Sequence, residues 1–68
     1  MTMGTVKWFN AGKGYGFIAP SNGGDDLYAH HSAIEMEGNK SLQKGQAVEF
    51  GVQTGPLGPQ AVNIRPIL

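Results

Sequence analysis

Short segments of alternating apolar and polar residues constrain the fold of this chain more than any other feature. Five such segments lie at residues 5–10, 15–20, 26–30, 47–53 and 60–66, and most are separated by runs rich in glycine, proline, asparagine or serine. This pattern predicts five short β-strands joined by turns, with no long helix. A single small sheet cannot cover its own apolar face, and its open edges invite aggregation. Closure of the sheet into a barrel solves both problems.

The alternation also predicts which side chains fill the barrel. We assign eight apolar residues to the inward face, namely Val6, Ile18, Leu27, Val48, Phe50, Val52, Val62 and Ile64. Ala29 shares a face with Leu27 by the same period of two. Residues 11–14, 21–25 and 55–59 are predicted turns or loops, and residues 32–34 a short helical turn. The mostly polar residues 35–45 are expected to form an irregular connection.

Composition limits the class of protein further. A chain of 68 residues makes one small domain, which buries only about 60% of the surface of its unfolded state. The chain has no cysteine, so it has no disulfide and no thiolate metal site. It shows no signal-like segment and no apolar run that could span a membrane, so the cytoplasm is the expected location. The net charge of zero counts against nucleic-acid binding, because nucleic-acid-binding domains are commonly basic.

One stretch nevertheless favours binding to nucleic acid. Residues 7–18 hold four of the six aromatic residues and two of the five basic ones, Lys7 and Lys13. Alternation places a set of rings on one outward face, made of Trp8, Tyr15, Phe17, Tyr28 and His30. Trp8 reaches that face only if a bulge or strong twist follows Val6. Aromatic rings flanked by lysine suit the stacking of unpaired bases, and the alternative is that these rings fill the core.

Several ordered motifs closely resemble those of the bacterial cold-shock proteins. They are KWFN at 7–10, KGYGFI at 13–18, DLYAH at 26–30, SAI at 32–34, GQAV at 45–48 and GPQA at 58–61. The resemblance covers nearly the whole chain and implies one cold-shock domain over residues 1–68, folded as an all-β, five-stranded antiparallel OB-fold barrel. It also implies binding of single-stranded RNA and DNA. A role as an ATP-independent RNA chaperone in the stress response, with effects on transcription or translation, is expected from it.

The resemblance also assigns candidate binding residues. The positions that match the family's nucleic-acid-binding residues are Lys7, Trp8, Lys13, Phe17, Tyr28 and His30, and Tyr15 and Asp26 match a further ring and a carboxylate that can accept a hydrogen bond from a base edge. His31 stands where the family usually has an aromatic residue, and we include it as a candidate stacking position. Asn39 and Leu57 also depart from the pattern, at positions that are often aromatic and basic respectively.

Other functions have weaker support in the sequence. The RNA recognition motif shares the run at 13–18, but Pro20 stands where that motif has an aromatic residue, and the helices of that fold are missing. His30 and His31 are neighbours on a strand, so they should point to opposite faces and should not chelate one metal ion. We find no catalytic set of residues and expect no enzyme, cofactor or metal. The main alternative is a barrel that binds a proline-rich or extended peptide. A monomer is expected, and strand exchange through residues 35–45 would give a dimer instead.

Overall fold

The strands of the computed structural model match the predicted segments closely. The structure describes residues 2–35, 41–56 and 58–67. Its strands are β1 (Thr2–Asn10), β2 (Tyr15–Pro20), β3 (Leu27–His30), β4 (Ala47–Gly55) and β5 (Gly58–Pro66), with a 3-10 turn at His31–Ala33. β2 has the predicted bounds, whereas β1 begins three residues earlier than predicted. β4 and β5 extend towards each other, so the loop predicted at 55–59 is shorter than expected.

The five strands form a closed barrel in the order β1-β2-β3-β5-β4. Closure follows from β1, which pairs antiparallel with β2 along one side and with β4 along the other. The β2–β3 and β4–β5 pairs are also antiparallel, and β3 meets β5 in parallel through Tyr28 and Gln60. The predicted all-β, five-stranded OB-type barrel is therefore confirmed. No helix within the described ranges is long and apolar enough to cross a membrane.

Aliphatic side chains and one phenylalanine fill the barrel. The buried core consists of Val6, Ile18, Leu27, Ala29, Ile34, Leu42, Val48, Phe50, Ala61 and Ile64. Most of the predicted inward residues are in this set. Their burial stabilises the fold by about 25 cal/mol for each Å² of apolar surface removed from water. Leu42 was not predicted to be a core residue, because it lies in the mostly polar residues 35–45, which were expected to form an irregular connection.

Val52 was predicted to lie in the core, and this prediction is wrong. Its side chain is 54% exposed. The last described pair between β4 and β1 joins Phe50 to Thr2, and beyond it the described residues of β4 pair only with β5. The end of the β4–β5 hairpin therefore extends beyond its pairing with β1, and no third strand among the described residues covers Val52.

Val62 was also assigned to the core, and it is half-buried on the outer side instead. Between two pairs, Glu49 with Arg65 and Gly51 with Val62, β5 advances one residue more than β4. Asn63 lies in this irregular segment with a φ of 51°, in the left-handed region. This bulge interrupts the alternation, because an extra residue on one strand reverses the faces that follow it. The inward residues are consequently Ala61 and Ile64, and not Val62.

Candidate nucleic-acid interface

A bulge in β1 brings Trp8 to the outside of the barrel, as the sequence analysis required. Val6 pairs with Ile18 and Trp8 with Phe17, so β1 advances two residues where β2 advances one. Val6 is 1% exposed and Trp8 is 40% exposed, although regular alternation would place both on one face. The bulge therefore separates the core residue from the surface ring.

Glycine at position 16 lets β1 and β2 approach each other beside this bulge. A Cβ atom on Gly16 would lie 2.7 Å from the Cα of Phe9 and would also collide with the Trp8 carbonyl oxygen. Because both contacts are with backbone, a larger residue would push the two strands apart. The glycine between Tyr15 and Phe17 thus sets the spacing between those rings and Trp8.

Five rings lie side by side on the outer surface of β1, β2 and β3, and we call this set the aromatic face: Trp8, Tyr15, Phe17, Tyr28 and His30. Trp8, Phe17 and Tyr28 form a row across the strands, with ring centroids 5.4 and 6.0 Å apart. Tyr15 lies 5.7 Å from Trp8 and 5.8 Å from Tyr28. None of the five belongs to the buried core. The alternative that these rings fill the interior is therefore wrong.

The shape of the aromatic face suits a flat ligand. Trp8, Tyr15, Phe17 and Tyr28 line an open hollow of about 520 Å³. Trp8 is exposed and the other rings are half-buried, so packing holds each ring while part of it faces solvent. Neighbouring rings meet at interplanar angles from 30° to 73°. These tilted arrangements are favourable between aromatic rings, and they hold the rings in place without a ligand.

Positive charge beside the aromatic face is partly neutralised. Lys7 Nζ lies 2.8 Å from Asp26 Oδ2, and both side chains are substantially exposed. An exposed ion pair of this kind contributes about 0–1 kcal/mol, so a phosphate group can compete with the carboxylate for Lys7. Lys13 lies in the turn after β1, where its backbone N–H donates to Asn10 Oδ1. Within the described residues, Lys13 has no ion-pair partner.

His30 and His31 lie next to each other, contrary to the expectation that they point to opposite faces. Their ring centroids are 4.3 Å apart, because His31 is not in the strand but begins the 3-10 turn. His30 Nδ1 accepts a hydrogen bond from the Ser32 backbone N–H and also lies 2.8 Å from the Ser32 hydroxyl oxygen. The described residues include no group of three potential metal ligands.

His31 extends the aromatic face by one exposed ring. Its backbone N–H donates to the Gly14 carbonyl, at 2.8 Å. Its side chain packs over Gly14, where a Cβ atom would lie 2.6 Å from the imidazole Cδ2. Gly14 has a φ of 77°, so glycine suits this position on conformational grounds as well. The two other departures from the cold-shock pattern, Asn39 and Leu57, lie outside the described residues.

No binding residue was predicted on β4 or β5, yet a second hollow of about 370 Å³ continues from the aromatic face onto these strands. Gln53 and Gln60 line it next to Tyr28 and His30. Alternation predicted Gln53 on the outward face, whereas Gln60 shares the period of Val62 and Ile64 and was therefore predicted on the inward face. Strand pairing alone brings them together.

Comparison with known proteins agrees with the fold and with the motifs. The family described as the "'Cold-shock' DNA-binding domain" matches residues 2–67. The chain is 58% identical to "Cold shock-like protein CspA" of Stigmatella aurantiaca over 98% of both chains. It is 59% identical to "Major cold shock protein" of Streptococcus pyogenes over 94% of both chains.

More distant similarity extends to a protein of different length. The chain is 52% identical to "Cold shock-like protein CspD" of Escherichia coli, over 98% of this chain and 90% of that one. The solved structure "drosophila Unr CSD456" matches with a TM-score of 0.81 at 21% identity. That match covers 98% of this chain and 26% of the longer one, and it supports the fold alone. The chain belongs to the cold-shock DNA-binding domain family, whose members are nucleic-acid-binding proteins and not enzymes.

Proposed function

We propose that this protein binds single-stranded nucleic acid by stacking unpaired bases on the aromatic face. The observation that carries the proposal is the arrangement of five rings side by side across three strands, outside the core. Base–aromatic stacking contributes about 1–3 kcal/mol per base and needs no particular base sequence. A duplex is a poor ligand for such a surface, because its bases already stack on one another.

The charges around the face support a limited electrostatic contribution. Lys7 and Lys13 lie in the segments next to the rings, and Asp26 offsets part of the charge of Lys7. The chain as a whole has a net charge of zero. We therefore infer that phosphate groups contact Lys7 and Lys13, that Asp26 is available to a base edge once Lys7 turns to phosphate, and that stacking supplies most of the affinity.

In the cell, this mode of binding would make the protein an RNA chaperone that works without ATP. A protein that binds the unpaired form and not the paired form shifts the equilibrium towards the unpaired form by mass action. The names of the relatives concern cold shock, which supports a role in cold or stress adaptation with effects on transcription or translation. We further propose that residues 1–68 act as one domain, as a monomer, in the cytoplasm.

Titration of the protein with matched single-stranded and duplex oligonucleotides tests this proposal. Trp8 is the only tryptophan and belongs to the aromatic face, so its fluorescence reports contact with bases directly. Oligothymidine and oligoadenosine should change the Trp8 signal and bind, whereas a duplex of equal length should bind weakly. Equal binding of the duplex would contradict the proposal.

Substitution of the lysines separates this function from peptide binding. Lys7→Gln and Lys13→Gln should each weaken single-strand binding, because each removes a contact with phosphate. Lys44 is exposed in the turn before β4 and lines neither hollow beside the rings, so Lys44→Gln is the matched control. Unchanged binding in the first two variants, with competition by a proline-rich peptide, would favour a peptide-binding module.

A further inference from the structure

A hollow of about 370 Å³ continues from the aromatic face around the barrel, beyond β3. The next strands in that direction are β5 and then β4. Tyr28 pairs with Gln60, and Gln60 pairs with Gln53. Paired residues of neighbouring strands lie on the same face of a sheet, so the two glutamines extend the row of rings. A strand that crosses the rings from β1 to β3 would next meet these side chains.

The amide groups in this hollow are free to bind a ligand. Gln60 is half-buried and its amide lies against Gly55, where a Cβ atom would collide with it. Gln53, on the neighbouring strand, is exposed. None of the side-chain hydrogen bonds among the described residues involves the amide of Gln53 or of Gln60. Each glutamine therefore offers one carbonyl acceptor and an NH₂ donor towards the hollow.

The remaining lining of the hollow points to a flat, uncharged ligand. No lysine, arginine, aspartate or glutamate lines it, so His30 is the one ionisable side chain beside Tyr28 among the described residues of this lining. Half-buried Val62 supplies an apolar floor, on the outer side because of the bulge at Asn63. A ligand with an aromatic body and hydrogen-bonding groups along one edge matches this combination. An unpaired nucleobase has those properties, and its edge is accessible only in a single strand.

We propose that Gln53 and Gln60 form a subsite that reads the edge of one base, with a preference for a base that carries an amino donor beside a ring-nitrogen acceptor. Adenine and cytosine both present this pair of groups, which the carbonyl and NH₂ of a glutamine amide complement. The subsite rests on the proposed function, since it takes a base of the same strand that stacks on the aromatic face. The subsite thus adds a preference between bases to a surface on which stacking alone discriminates little between them.

Modified bases at the end of a short oligothymidine test the subsite. One terminal nucleotide is replaced by adenosine, by the purine nucleoside that lacks the amino group, or by an abasic residue, at either end. Calorimetry should show that, at one end only, the oligonucleotide ending in adenosine binds about two- to tenfold tighter than the one ending in the purine without the amino group. This ratio corresponds to the free energy of one hydrogen bond. The two purines stack alike, so this ratio isolates the contact with the amides.

Variants of similar side-chain volume identify the residues responsible. Gln60→Met and Gln53→Met should each reduce the ratio towards one, and this loss should exceed any change in the affinity for plain oligothymidine. Gln43→Met is the matched control, because Gln43 is exposed in the segment before β4 and does not line the hollow. Thermal unfolding of each variant shows that it is folded at the temperature of the titration.

The outcomes separate the subsite from the proposed function. Equal binding of the two purines at both ends in the unchanged protein would overturn the subsite, as would a preference that survives in both glutamine variants. Binding of plain oligothymidine without any end preference rejects the subsite alone. If no single-stranded oligonucleotide binds, the proposed function itself fails.

Discussion

Replacement of Phe17 by alanine removes the central ring of the aromatic face. The Phe17 ring lies 5.4 Å from Trp8 and 6.0 Å from Tyr28, so a strand that crosses the three strands of the sheet must pass over it. Loss of one stacking contact costs about 1–3 kcal/mol. Phe17→Ala should therefore weaken single-strand binding by about 5- to 150-fold.

The same substitution also affects folding, and the structure sets the scale of that effect. Phe17 takes part in two ring pairs, each of which contributes about 0.5–1.5 kcal/mol beyond burial, so the free energy of unfolding should fall by about 1–3 kcal/mol. The neighbouring Ile18 is fully buried on the opposite face, and Ile18→Ala should cost about 2–5 kcal/mol. The two variants thus have overlapping effects on stability and different expected effects on binding.

Calorimetry with oligothymidine, combined with denaturant unfolding, separates binding from folding. Calorimetry is preferable to fluorescence here, because removal of a ring 5.4 Å from Trp8 changes the signal itself. The folded fraction of Ile18→Ala should bind like the unchanged protein, whereas that of Phe17→Ala should bind weakly. If the folded fraction of Phe17→Ala binds normally, the ring is structural and the argument for the aromatic face is refuted.

Three further predictions concern charge, packing and His31. The slope of log affinity against log salt should be about −1.4 to −2.1, for about two to three phosphate contacts, and a slope steeper than about −4 would contradict this. In thermal unfolding, Val52→Ala should change stability by less than about 0.5 kcal/mol, unlike Ile18→Ala. His31→Phe should tighten single-strand binding by about 0.5–1.5 kcal/mol. Equal affinity of His31→Phe and the unchanged protein for oligothymidine would make His31 a bystander.

Local alternation was enough to predict most of the barrel. Val6, Ile18 and Phe50 were assigned to the interior from the period of two alone, and all three are buried. The outward placement of Trp8 required a bulge, which is present between Val6 and Trp8. These features could be predicted because a regular strand presents its side chains to alternate faces, and because five such strands without a helix must close on themselves to cover their edges.

Only the tertiary structure decided which strands lie beside one another and where their pairing is interrupted. The bulge at Asn63 moves Val62 from the core to the outer surface, and the end of β1 leaves Val52 uncovered. The ion pair of Lys7 with Asp26 and the row from Tyr28 to Gln53 join residues far apart in sequence. A periodic pattern describes one strand at a time, whereas the burial of a side chain depends on the strands that flank it, and those neighbours are set by the closure of the whole barrel.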